Sequence, residues 1–256
     1  MCLLLMALQS HPAHKLVIAA NRDEFYERPT TPAAFWEDAP HILGGKDLRA
    51  GGTWFGITKK GRIAAITNYR DPASVKPNAP SRGELVSGFL AGDEDPESYL
   101  TRLDLKAGDY NGFNLIVGDA NRLYWFSNRG HGVAHLMPGI YGVSNHLLDT
   151  PWPKVSRGKA ALKNILSRNP APSLEGLMDI LLDRSIPNDE SLPETGVGIE
   201  WERILSPVFI SSPDYGTRSS TILLIDRDDQ VTFLERTYGP TPNHHRDAAF
   251  EFMIEK

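Results

Sequence analysis

Cys2-Leu3-Leu4-Leu5-Met6-Ala7-Leu8 and, a few residues on, Leu16-Val17-Ile18-Ala19-Ala20-Asn21-Arg22-Asp23-Glu24 decide how the chain begins to fold. The run Leu3–Leu8 is ended by Gln9-Ser10-His11-Pro12, which makes it too short to cross a bilayer. No basic residue precedes it, so it lacks the flank of a secretory signal. It reads instead as a buried strand, joined to a second strand, Leu16–Ala20, by the loop that holds His11-Pro12-Ala13-His14. If the two pair as an antiparallel hairpin, the end of the second lies beside the start of the first. The polar cluster Asn21–Glu24 then falls next to Cys2.

Outward from this hairpin, Thr53–Thr58 and Ile63–Thr67 read as strands around Lys59-Lys60-Gly61, and Phe113–Val117 and Leu123–Phe126 as strands around Asp119-Ala120-Asn121. Ile140–Val143 is a further strand. Apolar residues at three- and four-residue spacing predict helices over Lys154–Ser167 and Leu174–Leu182. Earlier helices are expected over Gly83–Ala91, with Ser81 as its N-cap, and over Pro96–Leu103. Residues 183–200, with prolines, glycines and acidic groups, read as a surface loop. Ser219–Ile225 and Val231–Glu235 flank a turn at 226–230, and a polar tail, 240–246, precedes a short terminal helix. The order of strands, helices and strands again, built from long hairpins, predicts an α+β domain spanning 1–256. Its two antiparallel sheets carry helices on the outside, unlike a doubly wound parallel sheet.

Composition narrows the function. Hydrophobic residues make up 41% and charged residues 23% of 256, enough for a large core without metal or disulfide. A net charge of −5 and a pI near 5.9 argue against a general nucleic-acid binder, which needs a basic face for phosphates. The single cysteine forbids an internal disulfide and suits a reducing compartment, so a cytoplasmic protein is expected. The eight histidines show no metal-ligand spacing, and no cofactor is expected. Gly44-Gly45 and Gly51-Gly52 lack the lysine-serine ending of a phosphate loop and read as tight turns.

Four features carry chemistry. Cys2 offers a thiolate nucleophile. Removal of the initiator Met1, usual before a small residue, gives Cys2 a free α-amine, whose ordinary pKa near 8 fits it to be base for its own thiol. The competing reading is an inert thiol at the start of a buried strand. Arg22 beside Cys2 lowers a thiol pKa, and Asp23 or Glu24 can hold an α-ammonium; a solvated turn with a surface ion pair is the alternative. Asn68 and Asn145 each follow a strand, where an amide can stabilise an oxyanion or simply serve a turn. Arg218 stands at the entrance of the strand Ser219–Ile225, where it can pair with Asp23, bind a substrate carboxylate or remain a surface charge.

Together these residues resemble a known family. Ala20-Asn21-Arg22-Asp23-Glu24 matches the signature of the NRDE family, which includes the transport-and-Golgi-organisation proteins. Gly51-Gly52-Thr53-Trp54, Thr67-Asn68-Tyr69-Arg70, Ser81-Arg82-Gly83, Ser144-Asn145 with Leu148-Asp149-Thr150-Pro151-Trp152-Pro153-Lys154, and Thr217-Arg218-Ser219-Ser220 also look like that family, in order along nearly the whole chain. The family is similar in turn to cysteine N-terminal-nucleophile (Ntn) hydrolases of the penicillin acylase and bile-salt hydrolase type. The resemblance implies a four-layer αββα sandwich. It implies Cys2 as nucleophile, Arg22 tuning the thiol, Asp23 orienting the α-amine, Asn68 at the oxyanion, Asn145 as a second structural or oxyanion asparagine, and Arg218 as a late active-site arginine. The activity expected is an amidohydrolase cleaving a linear, non-peptide C–N bond in a small molecule. The alternatives are a carrier of haem or an acyl thioester on the same scaffold, in keeping with the family's link to haem trafficking, and an interaction protein with an inert pocket.

Overall fold

The computed structural model describes residues 2–168, 171–239 and 245–255. Its first hairpin pairs β1 (Cys2–Leu8) with β2 (His14–Phe25), antiparallel, from Cys2 opposite Arg22 to Leu8 opposite Leu16. β1 reads as one unbroken apolar run because both its faces are buried. Leu4, Met6 and Leu8 point into one core, while Leu3, Leu5 and Ala7 point into another.

The remaining strands are β3 (Thr30–Phe35), β4 (Ile42–Asp47), β5 (Phe55–Thr58), β6 (Ile63–Asn68), β7 (Phe113–Gly118), β8 (Leu123–Ser127), β9 (Val133–Leu136), β10 (Gly139–Val143), β11 (Tyr215–Asp226), β12 (Gln230–Tyr238) and β13 (His245–Met253). They form a six-stranded sheet, ordered β10-β1-β2-β11-β12-β13, and a seven-stranded meander from β3 to β9. All pairings are antiparallel. The inner faces meet over Met6, Ile18, Ile57, Ile116 and Phe233. Helices α1 (Gly83–Ala91) and α2 (Pro96–Asp104) cover the seven-stranded sheet through Phe89, Leu90 and Leu100 on Phe113 and Leu115. Helices α3 (Pro153–Arg168) and α4 (Leu174–Leu181) cover the six-stranded sheet through Val155, Leu162 and Leu177 on Leu5, Val17 and Leu224. The layers therefore run α, β, β, α. A short helix, α5 (Ile199–Leu205), leads into β11.

Several expectations change. Ser81 does not cap α1: the cap is Arg82, already helical at φ −63° and ψ −25°, with no side-chain cap bond. The last segment is strand β13, because Phe250 and Phe252 alternate toward Phe35 at the edge of the inner core; positions 240–244 of the polar tail lie outside the described residues. The loop over 183–200 contains a 3₁₀ turn and ends in α5. Gly44-Gly45 is no turn but the middle of β4, where a side chain on Gly44 would sit 2.7 Å from the Phe55 carbonyl and one on Gly45 2.3 Å from the Trp54 ring. Gly51 does turn the chain, at φ +76°. Among the described residues no helix is long and apolar enough to cross a membrane.

Candidate active site

β2 does not stop at Ala20. It runs through Asn21-Arg22-Asp23-Glu24 because β1 and β11 flank it and satisfy its backbone on both sides. Asn21, Arg22 and Asp23 are buried, so the cluster is not a solvated turn. Strand alternation sends them to two faces. Asn21 faces the outer helices, donating to the carbonyls of Leu181 (2.8 Å) and Val208 (2.9 Å) and accepting from Ser220 Oγ (2.6 Å). Asp23 shares that face: its Oδ1 accepts from Thr217 Oγ1 at 2.7 Å and its carbonyl from the Tyr215 hydroxyl at 3.1 Å.

Arg22 faces the other way, with Cys2. Its guanidinium lies 4.1 Å over the Trp54 ring and its Nη2 3.7 Å from Asp47 Oδ2, while its Nη1 is buried with no hydrogen-bond partner among the described residues. Asp47 also accepts from Arg28 Nε at 2.6 Å. Burial opposes charge on Asp47, yet the Arg28 bond and the Ala50 and Arg49 amides hold its carboxyl below the usual value. Cys2, Arg22, Asp23, Asp47, Trp54, Asn68, Arg82 and Gly83 line one cleft of about 470 Å³. Gly83, first residue of α1, rests against Gly52 so closely that a side chain on Gly52 would sit 2.4 Å from the Gly83 carbonyl carbon. That contact sets the start of α1 into the cleft wall.

Cys2 is partly exposed, and its carbonyl accepts from Ser144 Oγ at 3.0 Å. Burial of the sulfur pushes the thiol above its ordinary value and the Asp23 charge adds to this, against Arg22. A thiol so placed needs a base to become a nucleophile. Asn68 ends β6 at the cleft, and its side chain makes no hydrogen bond among the described residues. Asn145 is fully buried and donates Nδ2 to the Asn68 carbonyl at 2.9 Å, while its own carbonyl accepts from the Arg70 amide at 2.7 Å. The structure thus uses the Asn145 amide to hold Asn68 in place.

Arg218 is not brought to this group. A β-bulge between Thr217 and Ser219 makes it the surplus residue of β11, and its Nη1 donates to the carbonyls of Phe25, Tyr26 and Arg28. Asp23 Oδ1 accepts from the neighbouring Thr217 hydroxyl.

Three charged residues near Cys2 escaped the reading of single positions. Arg82 donates to the Gly112 carbonyl (2.9 Å) and feels the Cys2 charge, with burial lowering its pKa. Arg70 forms a buried ion pair with Glu202 of α5. Lys154, in the first turn of α3, is fully buried behind the β1–β2 end. Arg70, Arg82 and Lys154 stand inside motif blocks quoted above, so the signal that could have found them was block membership. Among the described residues no three His, Cys, Asp or Glu side chains gather to hold a metal ion.

The sandwich is similar to the crystal structure of the C2A mutant of conjugated bile acid hydrolase from Clostridium perfringens. The match covers 100% of this chain and 97% of that one, with a TM-score of 0.52 and 8% sequence identity. At that identity the likeness concerns the fold, and the fold is the αββα Ntn-hydrolase sandwich. The family model for Transport and Golgi organisation 2 matches residues 1–240, and the chain belongs to that family. Transport and Golgi organization protein 2 homolog from Bos taurus is 38% identical over 277 residues, covering all of both chains. The Homo sapiens homolog is 37% identical over 276 residues with the same coverage, and the Drosophila melanogaster protein 30% identical over 268 residues, covering 93% of this chain and 92% of its own.

Proposed function

We propose that the chain is an N-terminal-cysteine amidohydrolase acting on a linear, non-peptide C–N bond. The observation that carries this reading is the register pair of Cys2 and Arg22 at the head of a cleft that Asp23 and Asn68 also line. In this reading Asp23, the residue after the β2 partner of Cys2, is the carboxylate that orients the Cys2 nitrogen. With Met1 removed, that nitrogen is a free amine beside a carboxylate.

The amine takes the thiol proton, and the sulfur attacks the carbonyl carbon of the amide. A C–S bond forms and the carbonyl oxygen gains negative charge, which the Asn68 amide stabilises. Asn145 acts by holding Asn68. The ammonium then returns its proton to the departing nitrogen as the C–N bond breaks, leaving an acyl-cysteine and a free amine. Water, deprotonated by the same amine, attacks the acyl carbon and releases the acid and the thiol.

The test is labelling of the purified protein with an electrophilic acyl probe, read by intact mass. The mature mass should lack methionine and gain one acyl group, and Cys2→Ala should remove both labelling and turnover. Labelling that persists in Cys2→Ala would overturn the reading.

A second reading draws on the guanidinium groups of Arg22, Arg49 and Arg82 along the cleft, which favour an anionic ligand. In it the cleft carries haem or an acyl thioester without turnover. Saturable haem binding, with no acyl-cysteine under any condition, would select it.

A further inference from the structure

Arg22 has more donors than the protein around it uses. It is 6% exposed, stacked on Trp54 and near Asp47 through Nη2, yet its Nη1 meets no acceptor among the described residues. A guanidinium cannot shed its charge, so a buried arm without a partner is costly unless a ligand supplies the acceptor. Asp47 does not fill that need. Its carboxylate already accepts from Arg28 Nε and from the Arg49 and Ala50 amides, and Glu24, the next carboxylate of the cleft, lies 3.8 Å from the same Arg28.

A second feature faces the same space. Ser81, Arg82 and Gly83, where α1 begins, line the cleft together with Arg22. Arg82, at the cap position of this nine-residue helix, makes no side-chain cap bond. The Glu84 and Leu85 amides bond back to the Ser81 and Arg82 carbonyls, and the Glu84 carboxylate accepts from the Tyr110 hydroxyl. What α1 brings to the cleft is therefore the positive end of its dipole, which favours an anion. Arg82 adds a full charge. Its Nη1 donates to the Gly112 carbonyl at 2.9 Å, and no carboxylate stands within 4.0 Å of its guanidinium among the described residues. Two guanidinium groups and a helix start thus converge on one cleft, and the carboxylates there are engaged with Arg28.

We propose that the cleft is built to hold an oxyanion, a carboxylate or phosphate group of the substrate, between Arg22 Nη1 and Arg82 at the start of α1. Because Arg22 stands opposite Cys2 in the β1–β2 register, that group lies close to the carbonyl that Cys2 attacks, and the amide cleaved is that of an acidic molecule. The anion site does not depend on the hydrolase reading above; its assignment to the substrate rests on that reading. The competing account keeps Arg22 for the thiol alone and Arg82 for the Gly112 carbonyl. It gives acidic and neutral acyl groups equal access to Cys2.

The first measurement is calorimetric titration of the mature protein with inorganic phosphate and, separately, with glutarate, in wild type, Arg82→Met and Arg22→Lys. Wild type should bind at least one of the two saturably, and each variant should weaken that binding about tenfold or more. Phosphate binding alone assigns a phosphoryl group to the ligand, and glutarate binding alone a carboxylate. Binding of neither ion, or binding unchanged in either folded variant, overturns the proposal. Should Arg22→Lys fail to fold, Arg82→Met decides alone. The second measurement times the labelling of Cys2, by intact mass, with a nitrophenyl ester that bears the anion found to bind and with its neutral methyl ester. The acidic probe should label wild type about tenfold faster or more, and Arg82→Met should remove that advantage. Equal rates for the two probes in wild type overturn the assignment to the substrate. Anion binding with no labelling by either probe removes the hydrolase reading and leaves the anion site standing.

Discussion

The two outer helical layers pack on their sheets in the same manner but differ in what they bury. α1 and α2 bury Leu85, Val86, Phe89, Leu90, Pro96, Tyr99, Leu100 and Leu103 on the seven-stranded sheet. Among these only the Tyr99 hydroxyl is polar, and it donates to the Leu85 carbonyl at 2.7 Å. α3 and α4 bury a matching apolar set and, with it, Lys154. Glu202, Arg70 and Asp23 join it on that side of the molecule. A layer that served packing alone would have no use for these charges, since replacing buried ion pairs with apolar groups is often neutral or stabilising. The contrast teaches that buried charge gathers among the helices of the six-stranded sheet, while the α1–α2 layer is mainly core.

That contrast can be broken by experiment. The largest effect is expected from Glu202→Ala, which strips the buried Arg70 of its carboxylate and should lower stability by about 3–5 kcal/mol in chemical denaturation. A loss below about 1 kcal/mol would mean that the charges on this side are not buried as described. Phe89→Ala, in the apolar layer, should cost a comparable amount, about 3–5 kcal/mol, by leaving a cavity. It should leave Cys2 reactivity unchanged wherever the variant is folded, and a loss of reactivity would show that the two layers are not separable.

The third test uses pH. Burial pulls Lys154 down to about 8 in the folded protein, against 10.5 for the free side chain. Between those values the unfolded chain binds more protons than the folded one, so stability rises with pH, by at most about 1.4 kcal/mol per unit. Because the raised Cys2 thiol acts in the opposite sense as it titrates, the rise is read between about pH 8 and 9.5 as the difference between wild type and Lys154→Met. No counterpart exists in α1 or α2. The smallest effect sharpens the comparison from its other side. Asp95 caps α2 by accepting from the Ser98 amide at 3.0 Å, and Ser173 caps α4 by accepting from the Gly176 amide at 3.1 Å. Replacing either with alanine should cost about 1 kcal/mol, measured by thermal unfolding, because each cap satisfies one backbone amide in the same way.

The difference also explains what the sequence made legible. α3 and α4 were readable because periodic apolar spacing fixes an amphipathic helix, and α1 and α2 were also expected close to where they lie, though the cap of α1 was not. β1, β2 and the meander hairpins were readable from apolar runs between turns. β3 and β4 were not: Pro32 interrupts one and Gly44-Gly45 the other, so neither alternates cleanly, and β4 depends on close approach to Trp54 and Phe55. α5 was hidden because it is short and three of its four apolar residues, Ile199, Trp201 and Ile204, are exposed while Glu202 is buried with Leu205. Within the site, the nearness of Cys2 to Arg22 follows from hairpin geometry and could be read in advance. The place of Arg218 could not, since one surplus residue in β11 redirects it. The burial of Lys154 was equally out of reach, because a lysine near a helix start ordinarily belongs to the surface.

The same surplus residue reaches further than Arg218 itself. Side chains along a strand alternate, so odd and even positions of β11 should look in opposite directions throughout. Ser220 and Ile222 face the outer helices, and Thr217, of the other parity, nonetheless offers its hydroxyl to Asp23 on that face. At this bulge β11 changes phase: Ser219–Ile225 fills the interior, and Tyr215–Thr217 serves the carboxylate. Evolution can retune the short half without disturbing the long one, and a deletion at position 218 would merge them and turn the Thr217 hydroxyl away from Asp23.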